Sequence, residues 1–271
     1  MAETADVLLF LDSEMEQPEL FGWFHILWLF LVTAGTVLLC KFFPQGTDRQ
    51  VRTVLLAVSI TVILLEIYKQ INYTFQVNDS GQVEADFQWY AFPFQFCSMP
   101  MYIGLLAGLT RKGRFHRAMC AFLASYAIFA GVCVMVYPGD VFIRTIGINI
   151  QTMICHGTMI TVGVYLLYTN YVPSCRKTLF RAMLVFSVCV LLAAVMNEVA
   201  YQTGLLETDE FNMFFISPHC DPSLPVYSLV QEVMAFPLSL IAYIFGFSVA
   251  AGLILLVSAW LKKLARKKAT A

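Results

Sequence analysis

Charge is what this chain has least of. Only 13% of its 271 residues are Asp, Glu, Lys or Arg, against roughly 25% in ordinary soluble domains. Hydrophobic residues make up 59%, more apolar surface than a water-soluble fold can hide. The first 20 residues are acidic, unlike the basic start of a secretory signal peptide. No internal repeat, low-complexity tract or soluble domain-sized insertion interrupts the apolar runs. The eight cysteines lack metal-type spacing. No cofactor, resident metal or nucleic-acid partner is expected.

What remains is membrane-crossing sequence. Seven apolar runs stand out: Phe21–Phe43, Arg52–Tyr73, Phe92–Thr110, Ala118–Tyr137, Val141–Tyr168, Leu179–Thr203 and Val226–Trp260. Each reaches the ~20 residues needed to cross hydrocarbon, the third only just. The expected fold is all-α, a polytopic bundle of seven transmembrane helices. Residues 1–20 form an acidic exterior lead-in, 21–261 a single membrane domain and 262–271 a basic tail.

The basic residues set the orientation. Of 17 Lys and Arg, all but Lys69 and Arg144 fall in or beside the loops after runs one, three and five, or in the tail, whereas Asp48 is the one acid on that side. Positive charge is retained inside, so the amino terminus is expected outside and the tail in the cytoplasm. The membrane is the plasma membrane for a bacterial chain, with an endomembrane the alternative for a eukaryotic one.

Polar residues inside the runs carry the functional reading. His25, Glu66, Lys69, Gln95, Cys97, Asn197 and Glu198 all fall toward the expected outer end. Glu66 and Lys69 are three apart, hence neighbours on one helix face and an expected ion pair. Thr145, Asn149, Thr152 and His156 form a polar stripe along one face of the fifth run. Buried charge is costly in a bilayer, so this convergence predicts a water-accessible cavity open to the outer leaflet. A proline-containing exterior loop, Gly204 to Pro225, holds Glu207, Asp209, Glu210, Asn212 and Ser217-Pro218-His219-Cys220-Asp221-Pro222, and reads as a stiff cap.

Cys97 lies in Phe92-Pro93-Phe94-Gln95-Phe96-Cys97-Ser98-Met99-Pro100. With Pro93 at the first helical position, Cys97 is expected about one turn into a helix, where free backbone donors favour a thiolate. Pro100 has no N–H, so the Phe96 carbonyl is expected to stay unpaired within the helix. Packing without chemistry is the competing reading of this stretch. A disulfide between Cys97 and Cys220 is a further alternative.

At Phe94–Met99, with His25, Glu66, His156-Gly157 and Asn197, the chain resembles the YwaF-like family of integral membrane proteins. That resemblance implies a seven-helix membrane fold. Its animal relatives are similar to phospholipid acyltransferases with a cysteine nucleophile and a histidine, which implies Cys97 as nucleophile and His156 as base. The family pattern has histidine two residues before the cysteine. Here Gln95 stands instead, able to donate a hydrogen bond but not to relay a proton.

The expected activity is acyl transfer between membrane phospholipids and lysolipids, through an acyl-thioester on Cys97. Gln95 or Asn149 would donate to the oxyanion. Two alternatives are a transporter or ligand-sensing bundle using Glu66, Lys69 and Glu198, and a zinc-dependent lipid hydrolase using His25, His156, His219, Cys220 and Asp221.

Overall fold

The computed structural model describes residues 2–78, 80–139, 141–204, 211–221 and 224–270. Among these the chain is helical apart from one hairpin, β1 (Phe75–Val77) with β2 (Val83–Ala85), antiparallel with Gln76 opposite Glu84. Glu207, Asp209, Glu210 and Pro222 lie outside the described residues.

Six helices are long and apolar enough to cross a membrane. They are α2 (Trp23–Phe42), α3 (Asp48–Thr74), the stretch formed by α5 (Arg114–Phe122), a π turn over Leu123–Ala127 and α6 (Ile128–Val136), then α7 (Ile146–Tyr168), α8 (Arg176–Thr203) and α10 (Phe236–Thr270). Local signals set their ends. Thr47 and Gln50 close a capping box at the start of α3, and Gly204 takes the left-handed conformation that ends α8. Phe30, Leu64, Leu191 and Phe245 project outward and exposed, as hydrocarbon-facing side chains do. This is an integral membrane protein.

The third run departs from the expected span. Only α4 (Met99–Leu109) is helical there, 11 residues or about 16 Å of rise. The two prolines explain it. Each is tolerated in the first turn of a helix, and a helix begun at Pro93 would put Pro100 in its interior at a cost of about 3 kcal/mol. The helix starts at Met99, with Pro100 in its first turn, and residues 92–98 are a partly buried stretch of bends and turns ahead of it.

Around the buried α7, close approach is set by glycine. A Cβ at Gly131 would lie 2.7 Å from the His156 carbonyl oxygen, and one at Gly163 would lie 2.6 Å from that of Leu123. Small residues are what let membrane helices meet this closely.

Contacts sort the loops into two ends. At one end Lys112 Nζ donates to Asp48 at 2.8 Å, Arg52 Nε to the Gly108 carbonyl at 2.9 Å and Lys262 Nζ to Asn170 at 3.1 Å. At the other end the residues after α1 (Ala2–Leu11) fold over the bundle. There Tyr68 donates to the Leu11 carbonyl, and Asn72 and Thr145 both donate to Asp12.

Candidate functional site

Cys97 sits in a turn just ahead of α4, not within it. The Ser98 N–H donates to the Gln95 carbonyl at 2.9 Å and the Met99 N–H to the Phe96 carbonyl at 3.3 Å. The Phe96 carbonyl is therefore occupied, contrary to the expectation from Pro100: with the helix starting at Met99, that carbonyl closes the preceding turn. Cys97 lines a chamber of about 30 Å³ with Cys155, Ser59, Pro100, Met101 and Leu123. That is space for a water molecule and far too little for an acyl chain. Among the described residues most of the polar groups predicted to line one open cavity are engaged elsewhere and do not line this chamber.

Across the chamber the Cys155 thiol donates to the Cys97 carbonyl at 3.8 Å. His156 is the next residue of α7. Its Nδ1–H donates to the Thr152 carbonyl at 2.8 Å, which fixes the tautomer and leaves the Nε2 lone pair to accept a proton. Among the described residues no hydrogen bond joins Cys97 directly to His156.

Glu66 and Lys69 form the expected pair at 2.8 Å, both largely buried. Gln70 donates to Glu66 Oε1 at 2.9 Å, and Gln151 reaches Oε2 at 3.4 Å. Among the described residues the Lys69 ammonium, which carries three donors, pairs with Glu66.

The other predicted residues do not join them. Gln95 donates from Nε2 to the Asn212 carbonyl at 3.1 Å and accepts from the Phe214 N–H at 2.9 Å. Asn149 clasps Ile143 through its N–H and its carbonyl, at 2.9 and 2.7 Å. Asn197 does the same to Met213. Gln95 and Asn149 each commit the amide oxygen and one of two N–H donors to a loop backbone. His25 accepts from the Phe21 N–H on Nδ1 and donates from Nε2 to the Met135 carbonyl; it ties α2 to α6, away from Cys97. Glu198 is exposed and accepts from His219 at 2.9 Å and Gln202 at 2.7 Å, with His219 stacked on Tyr201.

The loop expected as a cap dips into the bundle. Met213, Phe214 and Ile216 are fully buried, and Phe214 stacks on Phe96 at 5.8 Å between ring centres. Phe214 and Phe215 hold φ of 59° and 56°, a conformation costing on the order of 1–3 kcal/mol each in a non-glycine residue. Gln95, Asn197 and Tyr243, whose hydroxyl donates to the Phe214 carbonyl at 3.0 Å, hold it there.

Among the described residues no disulfide joins Cys97 to Cys220. Among the described residues no three His, Cys, Asp or Glu side chains converge on a metal-sized site; His25, His156 and His219 are each engaged in a different place. Sequence reading missed Cys155, which nothing but its adjacency to His156 signalled. It also missed a thiol–imidazole contact, Cys120 to His116 at 3.4 Å, which the spacing of four would have indicated.

The family model described as the TMEM164 family matches residues 20–259. This corrects the resemblance to the YwaF-like family: that likeness rested on short motifs, whereas the match runs over nearly the whole chain. No curated protein and no solved structure matches the chain.

Proposed function

The chain belongs to the TMEM164 family, and from that premise and the geometry at Cys97 we propose an integral membrane acyltransferase working on phospholipids and lysolipids. The observation that carries this reading is the chamber itself. It sets the Cys97 turn against Cys155, the residue of α7 that precedes a histidine whose Nε2 is left able to accept a proton.

His156 takes the Cys97 thiol proton once the loosely aligned apo pair tightens around substrate, directly or through one water. The thiolate attacks a phospholipid ester carbonyl and the C–O bond breaks. His156 returns the proton to the leaving alkoxide, releasing a lysolipid. The acyl chain stays on Cys97 as a thioester. A second lysolipid hydroxyl gives its proton to His156 and attacks the thioester, and the released thiolate is reprotonated. Lys69, whose ammonium carries three donors, takes the oxyanion role first expected of Gln95 or Asn149. The groove between α3 and α4, lined by Ile67, Gln70, Pro93, Met101 and Tyr102, is the lateral approach, sharing Met101 with the chamber.

Topology follows from the charges. The loops joined at one end by Lys112–Asp48 and Lys262–Asn170 carry most of the basic residues, so this end is cytoplasmic by the positive-inside rule. Residues 92–98 with α4 complete a seventh crossing, and Cys97 faces the outer leaflet. The buried Glu66–Lys69 pair also suits a non-enzymatic transporter or sensor, in which neutralising that pair would hurt more than losing Cys97.

The test is lipid turnover in liposomes carrying a donor phospholipid and a lysolipid acceptor. Wild type transfers the acyl chain; Cys97→Ala and His156→Gln, folded as judged by melting temperature, do not. Full turnover by folded Cys97→Ala would overturn the proposal.

A further inference from the structure

We infer that the groove between α2, α3 and α7 is the seat of the acyl chain, and that Gly35 sets the chain length it accepts. The inference rests on the acyltransferase reading and adds a binding site and a specificity-determining position to it.

The chamber holds about 30 Å³, so an acyl chain carried on Cys97 must leave it. A groove of about 400 Å³ adjoins it, lined by Trp28, Val32, Gly35, Leu39 and Ile154 among others. Val58 and Thr158 line both spaces and form the partition between them. The groove takes hydrocarbon rather than a headgroup. It contains no charged residue, and both hydroxyls on it are engaged within the protein: Thr158 donates to the Cys155 carbonyl at 2.9 Å, and Thr161 bonds Thr36 at 2.9 Å. It opens between spanning helices, where bilayer acyl chains are the surrounding medium. From Val58 it follows Val54 and Leu39 toward the basic end, the direction an outer-leaflet chain takes toward the midplane. The α3–α4 groove is lined instead by Glu66 and Gln70, which suits the ester and glycerol part of a lipid.

Gly35 lies in the α2 wall, and a Cβ added there meets nothing within 4 Å. A larger side chain therefore fills groove space without pushing on the protein, and leucine is also the better helix former. Gly35→Leu should fold normally and discriminate against long chains by about 10-fold, the effect of a shortened apolar pocket.

Full-length protein in liposomes is given competing phosphatidylcholines of 14 to 20 carbons per chain, as probes, with a lysolipid acceptor. Products and the Cys97 adduct are profiled by mass. In parallel, a phosphatidylcholine with a diazirine at the chain end is photocrosslinked, and the yield on Leu31–Leu39 is compared with that on the lipid-facing Phe245 of α10. The inference expects Gly35→Leu to shift the profile to shorter chains and lose the Leu31–Leu39 excess. Transfer with an unchanged profile, or crosslinks no richer there than at Phe245, overturns the seat and leaves the acyltransferase reading standing. Wild type that neither transfers nor acylates Cys97 overturns that reading instead, and the crosslink excess alone then decides whether the groove holds a chain.

Discussion

Asn197 grips Met213 by both sides of its backbone, donating to the carbonyl at 3.0 Å and accepting from the N–H at 2.8 Å. Met213 is fully buried, so Asn197→Ala leaves two backbone groups unpaired at about 1–3 kcal/mol each. Its melting temperature in detergent should fall, and Cys97 should alkylate faster as the loop loosens. Asn197→Asp should lose at least as much, because it buries a charge and sets a carboxylate oxygen against the Met213 carbonyl. An unchanged melting temperature in Asn197→Ala would show that the clasp does not hold the loop.

The Glu66–Lys69 pair separates stability from chemistry. Breaking a buried pair from one side costs about 3 kcal/mol or more, because a charge is stranded. Glu66→Gln and Lys69→Met should each melt lower than wild type, and the double variant should recover part of the loss. Acyl transfer should stay low in both variants that lack Lys69. Additive stability losses, read by thermal unfolding, would contradict the coupling.

Cys175 reports on the opposite face. It lies just before α8, where the Thr178 hydroxyl at 3.5 Å and backbone N–H groups of Lys177 and Thr178 hold its thiol below the ordinary range. A depressed thiol pKa keeps the thiolate at lower pH, so alkylation of Cys175 should reach half-maximal rate below the pH of a free cysteine. Thr178→Val should move that midpoint up. An impermeant maleimide should reach Cys175 only from the basic face. Labelling from the other side in sealed vesicles would invert the topology and remove the outer-leaflet assignment.

Six of the seven expected spans were legible because crossing length and apolar content are properties of composition. The Glu66–Lys69 pair was legible because it is local, set by a spacing of three on one helix. What was hidden lay in the amides and the prolines. An amide within an apolar run looks the same whether it awaits a substrate or clasps a backbone, since its donor and acceptor match a peptide group as well as a ligand. Gln95, Asn149 and Asn197 all clasp loops, and the loop positions they choose are fixed by tertiary packing alone. Likewise Pro93 and Pro100 both suit a first helical turn, and nothing local says which of them α4 obeys.

The most direct test is the mass of the protein itself. Wild type incubated in phospholipid liposomes and quenched at acid pH should carry one acyl chain, removable by neutral hydroxylamine as a thioester is, and mapped to Cys97 rather than to neighbouring Cys155. Cys97→Ala should carry none, and His156→Gln should acylate far more slowly. Acyl transfer by a wild-type protein whose Cys97 stays unmodified at every time point would contradict the covalent mechanism.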